Sequence, residues 1–169
     1  MSDYRRYRVP GGTYFFTINL QNRHSDLLVR RIDAFREAVR RTRIDRPFHI
    51  DAWVVLPEHL HCVITLPPGD DDFSNRIKAI KIRFSRAIPS EECRSSVQIA
   101  RRERGIWQRR FWEHVIRDDE DYARHLDYLH FNPVKHGHVK AVKDWPYSTF
   151  FQWVKAGAYP LDWAGEKNS

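Results

Sequence analysis

Apolar and polar positions along this 169-residue chain repeat with two different periods, and the periods alternate in a regular order. "GGTYFFTINL" follows a Pro-Gly-Gly break, is rich in aromatic and β-branched residues, and predicts a first strand. From Asp33 to Arg43, "DAFREAVRRTR" puts Phe35, Ala38 and Val39 on one helical face, with Asp33 as its cap. "PFHIDAWVVLP" predicts a second strand and "HLHCVITLP" a third, joined by a short "PE" turn. In "GDDDFSNRIKAIKIRFSRAIP", Phe73, Ile77, Ile80, Phe84 and Ile88 recur at helical spacing, while Arg76, Lys78, Lys81, Arg83 and Arg86 cover much of the rest. Asp70 to Asp72 stand at the end where the helix dipole favours negative charge. Residues 90–105 are polar and arginine-rich, and a mobile loop is expected there. "GIWQRRFWEHVIR" predicts a fourth strand with its approach, and "DDEDYARHLDYLHFNP" a helix closed by Asn132 and Pro133.

The order strand, helix, strand, strand, helix, strand predicts an α+β fold of the ferredoxin-like or RRM-like kind. This is a split βαβ unit: an antiparallel sheet with helices on one face and the other face open to a ligand. No repeat or long linker divides the chain, so 1–169 is expected to be one domain. The aromatic-rich C-terminal tail, about 145–169, should pack back on it. The topology alone does not choose between binding and catalysis.

Composition changes the picture in one respect. An apolar fraction of 41% and six tryptophans fit a folded globule. A net charge of +7 and a pI near 9.6 favour a polyanionic partner, most simply nucleic acid, although an ordinary basic protein fits the charge equally well. Cys62 and Cys93 have no close cysteine neighbours, which excludes a disulfide framework or a paired-cysteine zinc site. No stretch has the length of a membrane span or the apolar core of a secretory signal, so no membrane partner and a cytoplasmic location are expected.

Two residues interrupt the third strand's apolar run. In "LPEHLHCVIT", alternation puts His59 and His61 on one face, with Leu60 and Cys62 on the other. Imidazoles so spaced can clasp one metal ion; equally, they can be two histidines bonded to their neighbours. Val63 stands where a histidine-triad hydrolase needs a third histidine. No convincing pair of His-x-Thr/Ser motifs and no His-Glu-x-x-His occurs. On the last helix, Asp121, His125, Tyr128 and Asn132 fall at spacings of four, three and four and share a face, whereas Tyr122, Leu126 and Leu129 lie on another, suited to packing. Tyr128 is then free to act as a nucleophile, a role in which a divalent cation must help because a free phenol ionises only near pH 10. The Asn132 amide is a suitable hard ligand. A half-buried packing tyrosine and an Asn-Pro helix stop account for the same two residues.

Five ordered blocks, "YRRYRVPGGTYFFTINL", "RPFHIDAWVVLPEHLHCVITLPPGDDDFS", "GIWQRRFWEH", "DYARHLDYLHFNPVKHG" and "DWPYSTF", resemble the HUH single-strand transposases, and among them the REP-associated tyrosine transposases. The resemblance covers nearly the whole chain. It implies a metal (Mg or Mn) on His59, His61 and Asn132, with Tyr128 as the nucleophile. Related insertion-sequence enzymes often carry Gln where this chain has Asn132. Glu58 could add a carboxylate. The implied reaction is cleavage and strand transfer at single-stranded, REP-type palindromic hairpins with short flanks, through a 5′-phosphotyrosine. A catalytically silent hairpin-binding regulator is the alternative. A monomer is expected over a dimer. For DNA contacts, Arg5, Arg6 and Arg8 form one basic cluster. Arg101, Arg102, Arg104, Arg109 and Arg110 form another around Trp107, where interleaved charge and ring suit phosphate and an unpaired base. The basic face of the Arg76–Arg86 helix reads more simply as a solvated surface.

Overall fold

The computed structural model describes residues 6–89, 95–101 and 104–165. Four strands, β1 (Thr13–Asn19), β2 (His49–Val55), β3 (His59–Thr65) and β4 (Trp112–Val115), form one sheet in the order β2-β3-β1-β4, every neighbour antiparallel. β3 thus lies between β1 and β2, and the chain is the split βαβ unit expected. The helices are α1 (Leu27–Arg30), α2 (Ile32–Asp45), α3 (Phe73–Ala87), α4 (Ser96–Ala100), α5 (Asp119–Lys135) and α6 (Phe150–Lys155).

Alternation along the strands separates two cores. On one face Tyr14, Phe16, Ile18, Leu60, Cys62 and Ile64 meet Phe35 and Val39 of α2 and Phe73, Ile77, Ile80 and Phe84 of α3. Burial pushes the Cys62 thiol up to about 12, as befits a small core residue. On the other face Phe15, Ala52, Val54, Leu56 and Val63 meet Leu126 and Leu129 of α5. The face expected to stay open is therefore partly covered. Once Leu126 and Leu129 share a stripe, burying each is worth about 1.5–3 kcal/mol, and only the sheet offers them an apolar surface. A register shift in β2 between Ile50 and Ala52 frees Asp51, whose carboxylate accepts from Tyr122 Oη of α5 (2.8 Å) and Thr65 Oγ1 (2.7 Å).

The helix ends depart from expectation in two places. Asp33 lies inside the first turn of α2, whose cap position is Arg31, because α1 leads almost directly into it. Pro133 does not end α5: the helix runs through it to Lys135, and Gly137 (φ +76°) turns the chain away. A proline at position 133 forfeits one bond, to the carbonyl of Leu129, while Asn132 and its neighbours stay packed. At the N-terminus Asp118 caps α5 by accepting from Asp121 N (2.7 Å), and Asp72 caps α3 by accepting from Asn75 N.

Beyond α5 the chain returns along the β2 edge. Val55 N donates to Tyr147 O, and Thr149 N to Trp53 O. Val142, Phe150 and Tyr159 then close a third cluster with Phe131 and Trp163.

Candidate active site and DNA-binding surface

The antiparallel register places His61 opposite Thr17 and His59 opposite Asn19, with both imidazoles on the α5 side of the sheet. Their centroids lie 4.9 Å apart at 83°. Each ring is fixed through Nδ1. His59 donates to the Glu58 carboxylate (2.6 Å), which Arg23 approaches in turn (3.7 Å), and His61 bonds Thr17 Oγ1 (2.8 Å). That leaves Nε2 of each as the outward nitrogen. In His61 this atom is buried and makes no hydrogen bond.

From α5, Asn132 reaches the same spot. It is fully buried, and neither Oδ1 nor Nδ2 makes a hydrogen bond. The amide is close enough to His61 to favour its charged form slightly, but no atom pair reaches bonding geometry. Buried polar atoms are nearly always paired. Orphaned nitrogen and amide groups side by side, with a histidine held by a carboxylate, make a donor set that fits a divalent cation.

One turn earlier Tyr128 is 42% exposed, with its ring 5.4 Å from that of His61. Lys135 Nζ stands 4.8 Å from the Tyr128 ring centroid, and the His136 ring 5.3 Å from that of His59. Burial, with the nearby charges of His59, His136 and Lys135, holds His61 down to about 3; burial likewise lowers His59, against the opposing pull of Glu58. Both imidazoles are neutral at pH 7 and present a lone pair.

Sequence reasoning missed Lys135 and His136 because it ended the helix at Pro133. Lys135 stands seven residues after Tyr128, on the same face, and a helix continued through the proline would have found it. Thr17 and the hub Phe15, against which His61 (5.4 Å) and Tyr128 (6.0 Å) both pack, are set by strand pairing and carry no local signal.

Farther along the same face, His114 of β4 and Asp121 and His125 of α5 bring their ligand atoms within 4.8 Å of one another. His114 Nε2 donates to Asp121 Oδ2 (2.8 Å), and His125 Nδ1 donates to the Asp121 backbone carbonyl (2.7 Å). The two rings are stacked at 4.6 Å and 16°. Lone pairs lying in nearly parallel planes do not converge on one point, so as it stands the trio is a hydrogen-bonded stack rather than a metal cage.

The expected DNA-contact residues fall into distinct groups. Arg5 and Arg102 lie outside the described residues. Arg6, Arg104, Trp107 and Arg109 line one cavity of about 630 Å³ with Lys78, Lys81 and Arg86, on the α3 side of the sheet. Within it, the Arg6 guanidinium lies 3.9 Å from the Phe111 ring centroid. Trp107 is used for packing, since its Nε1 donates to Lys81 O (3.2 Å) and its ring meets Phe84 (5.5 Å). Arg104 ties the carbonyl of Ser85 in the last turn of α3 to those of Ile88 and Pro89 just beyond it. Arg101 and Arg110 are exposed. Arg76, read from sequence as part of a solvated basic face, is buried: its guanidinium grips Asp70 at 2.8 and 3.1 Å and three backbone carbonyls.

Among the described residues no helix is long and apolar enough to cross a membrane. No protein-family model matches the chain. A REP-associated tyrosine transposase of Escherichia coli is 53% identical over 166 residues, which span 98% of this chain and 93% of the relative. A putative REP-associated tyrosine transposase of Haemophilus influenzae is 52% identical over 167 residues, 98% of this chain and 94% of that one. Among solved structures, a REP-associated tyrosine transposase bound to a REP hairpin superposes with a TM-score of 0.85 at 52% identity, covering 100% of this chain and 94% of the other. Sharing more than half its residues with these proteins over nearly its whole length, the chain belongs to the family of REP-associated tyrosine transposases.

Proposed function

We propose that this protein cuts and rejoins single-stranded DNA at REP-type hairpins, with Tyr128 as the nucleophile. The observation that carries the reading is the exposed Tyr128 ring beside a buried group of polar atoms that lack hydrogen bonds, His61 Nε2 and the Asn132 amide. His59, His61 and Asn132 would hold a divalent cation, whose chemistry when bound is to polarise the scissile phosphate. Two imidazoles and one amide oxygen suit Mn better than Mg, which prefers oxygen alone.

The chain's own groups supply the rest. The exposed Tyr128 hydroxyl gives up its proton to solvent, and its oxygen forms a bond to phosphorus. The bond from phosphorus to the 3′ oxygen breaks, and that oxygen takes a proton to become a free 3′-OH. The DNA is then linked to the enzyme through a 5′-phosphotyrosine. Lys135, over the face of the Tyr128 ring, favours the negative charge that develops there. Attack by another 3′-OH reverses the step and joins strands without an outside energy source. Tyr128 and the histidines belong to one chain, so a monomer is sufficient. Arg6, Lys78, Lys81, Arg86 and Arg109 would hold the hairpin phosphates in the basic cavity, with exposed Arg101 and Arg110 beside it.

The test is a labelled single strand carrying a REP hairpin, incubated with protein and Mn or Mg. A covalent protein–DNA adduct that needs the cation and disappears in Tyr128→Phe is the expected result. Tight hairpin binding with no adduct under any cation would instead make this a silent hairpin-binding protein.

A further inference from the structure

The α5 side of the sheet carries one more built feature, which the reaction above does not use. Trp112, the first residue of β4, is 52% exposed although it belongs to the sheet. Its indole is parallel to the His114 ring (6.0 Å, 4°), and His114 is stacked in turn on His125. Three parallel rings thus form a short column ending in an exposed indole. The column is rigid: Asp121 is buried and holds His114 through its carboxylate and His125 through its backbone carbonyl. Around the same carboxylate, at 3.9 and 3.7 Å, stand the guanidinium groups of Arg117 and Arg124, whose side chains are otherwise exposed. Both guanidinium groups stand beside the rings, mostly exposed, in a turn that also carries Asp118, Asp119 and Glu120, so what they offer a phosphate is donors in position rather than a net positive field.

The column also has a fixed relation to the nucleophile. Trp112 and Tyr128 both pack edge-on against Phe15, at 6.1 and 6.0 Å. A nucleotide stacked on the indole is therefore close to a phosphate presented to Tyr128.

From this juxtaposition we infer that Trp112, backed by His114 and His125 and flanked by Arg117 and Arg124, is a subsite for one unpaired nucleotide of the DNA flanking the scissile phosphate. The inference rests on the proposed action on DNA. The indole takes the base and the arginines its phosphate. Stacking is sequence-tolerant because every base has a π-face, so the subsite fixes position more than identity. Its preorganisation keeps the ordering cost of binding low.

The experiment uses the full chain carrying Tyr128→Phe, so that the DNA stays intact, and measures binding by fluorescence anisotropy. The probes are the REP hairpin with its short single-stranded flank and the same hairpin trimmed to its stem. Adding Trp112→Ala should weaken the flanked hairpin by on the order of 10-fold. The trimmed hairpin should change by less than about 2-fold, which also shows that the variant is folded. Trp112→Phe should recover most of the loss. An abasic site at one flank position should weaken binding to the protein that keeps Trp112, yet cost Trp112→Ala nothing further. Equal losses with both hairpins, or abasic penalties that simply add to that of Trp112→Ala at every position, would overturn the inference. Adduct formation by the protein with Tyr128 intact is scored separately. Its absence would sink the proposed cleavage while leaving a coupled indole and nucleotide standing.

Discussion

Replacing Asn132 with leucine asks whether the active site is kept against the interest of the fold. The side chain is fully buried, and both its polar atoms lack hydrogen bonds. An amide in that state costs about 1–3 kcal/mol. Leucine has nearly the same shape and removes that cost; imperfect fit returns less than about 1.5 kcal/mol. In chelator the variant should therefore be more stable than the natural protein by about 1 kcal/mol, roughly a 3 °C rise in Tm for a domain of this size. Addition of Mn should reverse the order. A cation that binds only the folded state at a hundred times its Kd stabilises by about 2.7 kcal/mol, and the variant, short of a ligand, should gain far less. Urea unfolding in chelator and in Mn, for both proteins, measures all four values. If Asn132→Leu is less stable in chelator by more than about 1 kcal/mol, the amide is well bonded in the folded protein and the reasoning is wrong.

Three further perturbations have clear expected outcomes. Glu58→Gln replaces the carboxylate that holds His59 Nδ1 with a weaker acceptor, and a Mn titration should show affinity falling about 10–100-fold. Acid should destabilise the protein with a defined sign: His61 at about 3 and His130 at about 4 take up protons later than the same residues in the unfolded chain, near 6.5. Their stabilisation is whole above that value and falls through the window below it, by about 2 kcal/mol per residue at pH 5; urea midpoints that stay flat from pH 7 to 5 would contradict this. Arg76→Met should cost about 2 kcal/mol, chiefly by stranding three backbone carbonyls, since Asp70 is a third exposed and keeps its bond from Asp72 N, and a loss below about 1 kcal/mol in the same assay would mean that water replaces the guanidinium without penalty.

The sheet, its order and the pairing of His59 with His61 on one face were legible because strand alternation is a local rule. The shared face of Tyr128 and Asn132 was legible for the same reason, from helical spacing. What escaped the sequence depends on tertiary contacts. Pro133 reads as a stop, yet packing on both sides carries α5 through it, and Lys135 was lost with the missing turn. Arg76 and Lys81 look alike as exposed cations in an amphipathic repeat. Only the loop that brings Asp70 and the Pro47 carbonyl to one end of α3 makes Arg76 a buried clamp. Trp107, surrounded by arginines, looks like a stacking ring; it lines the basic cavity with its ring packed on Phe84. Trp112, five residues on, is the exposed one.

The two margins of the sheet are treated differently. The returning tail hydrogen-bonds along β2, whereas the four-residue β4 pairs with no further strand on its outer side among the described residues. A sheet with two free margins can grow into a filament, copy upon copy. With one margin stitched shut, two copies that met through β4 would have nothing left to offer a third. Association through the sheet would thus end at a pair, a safeguard for a protein that leaves aromatic rings open to solvent.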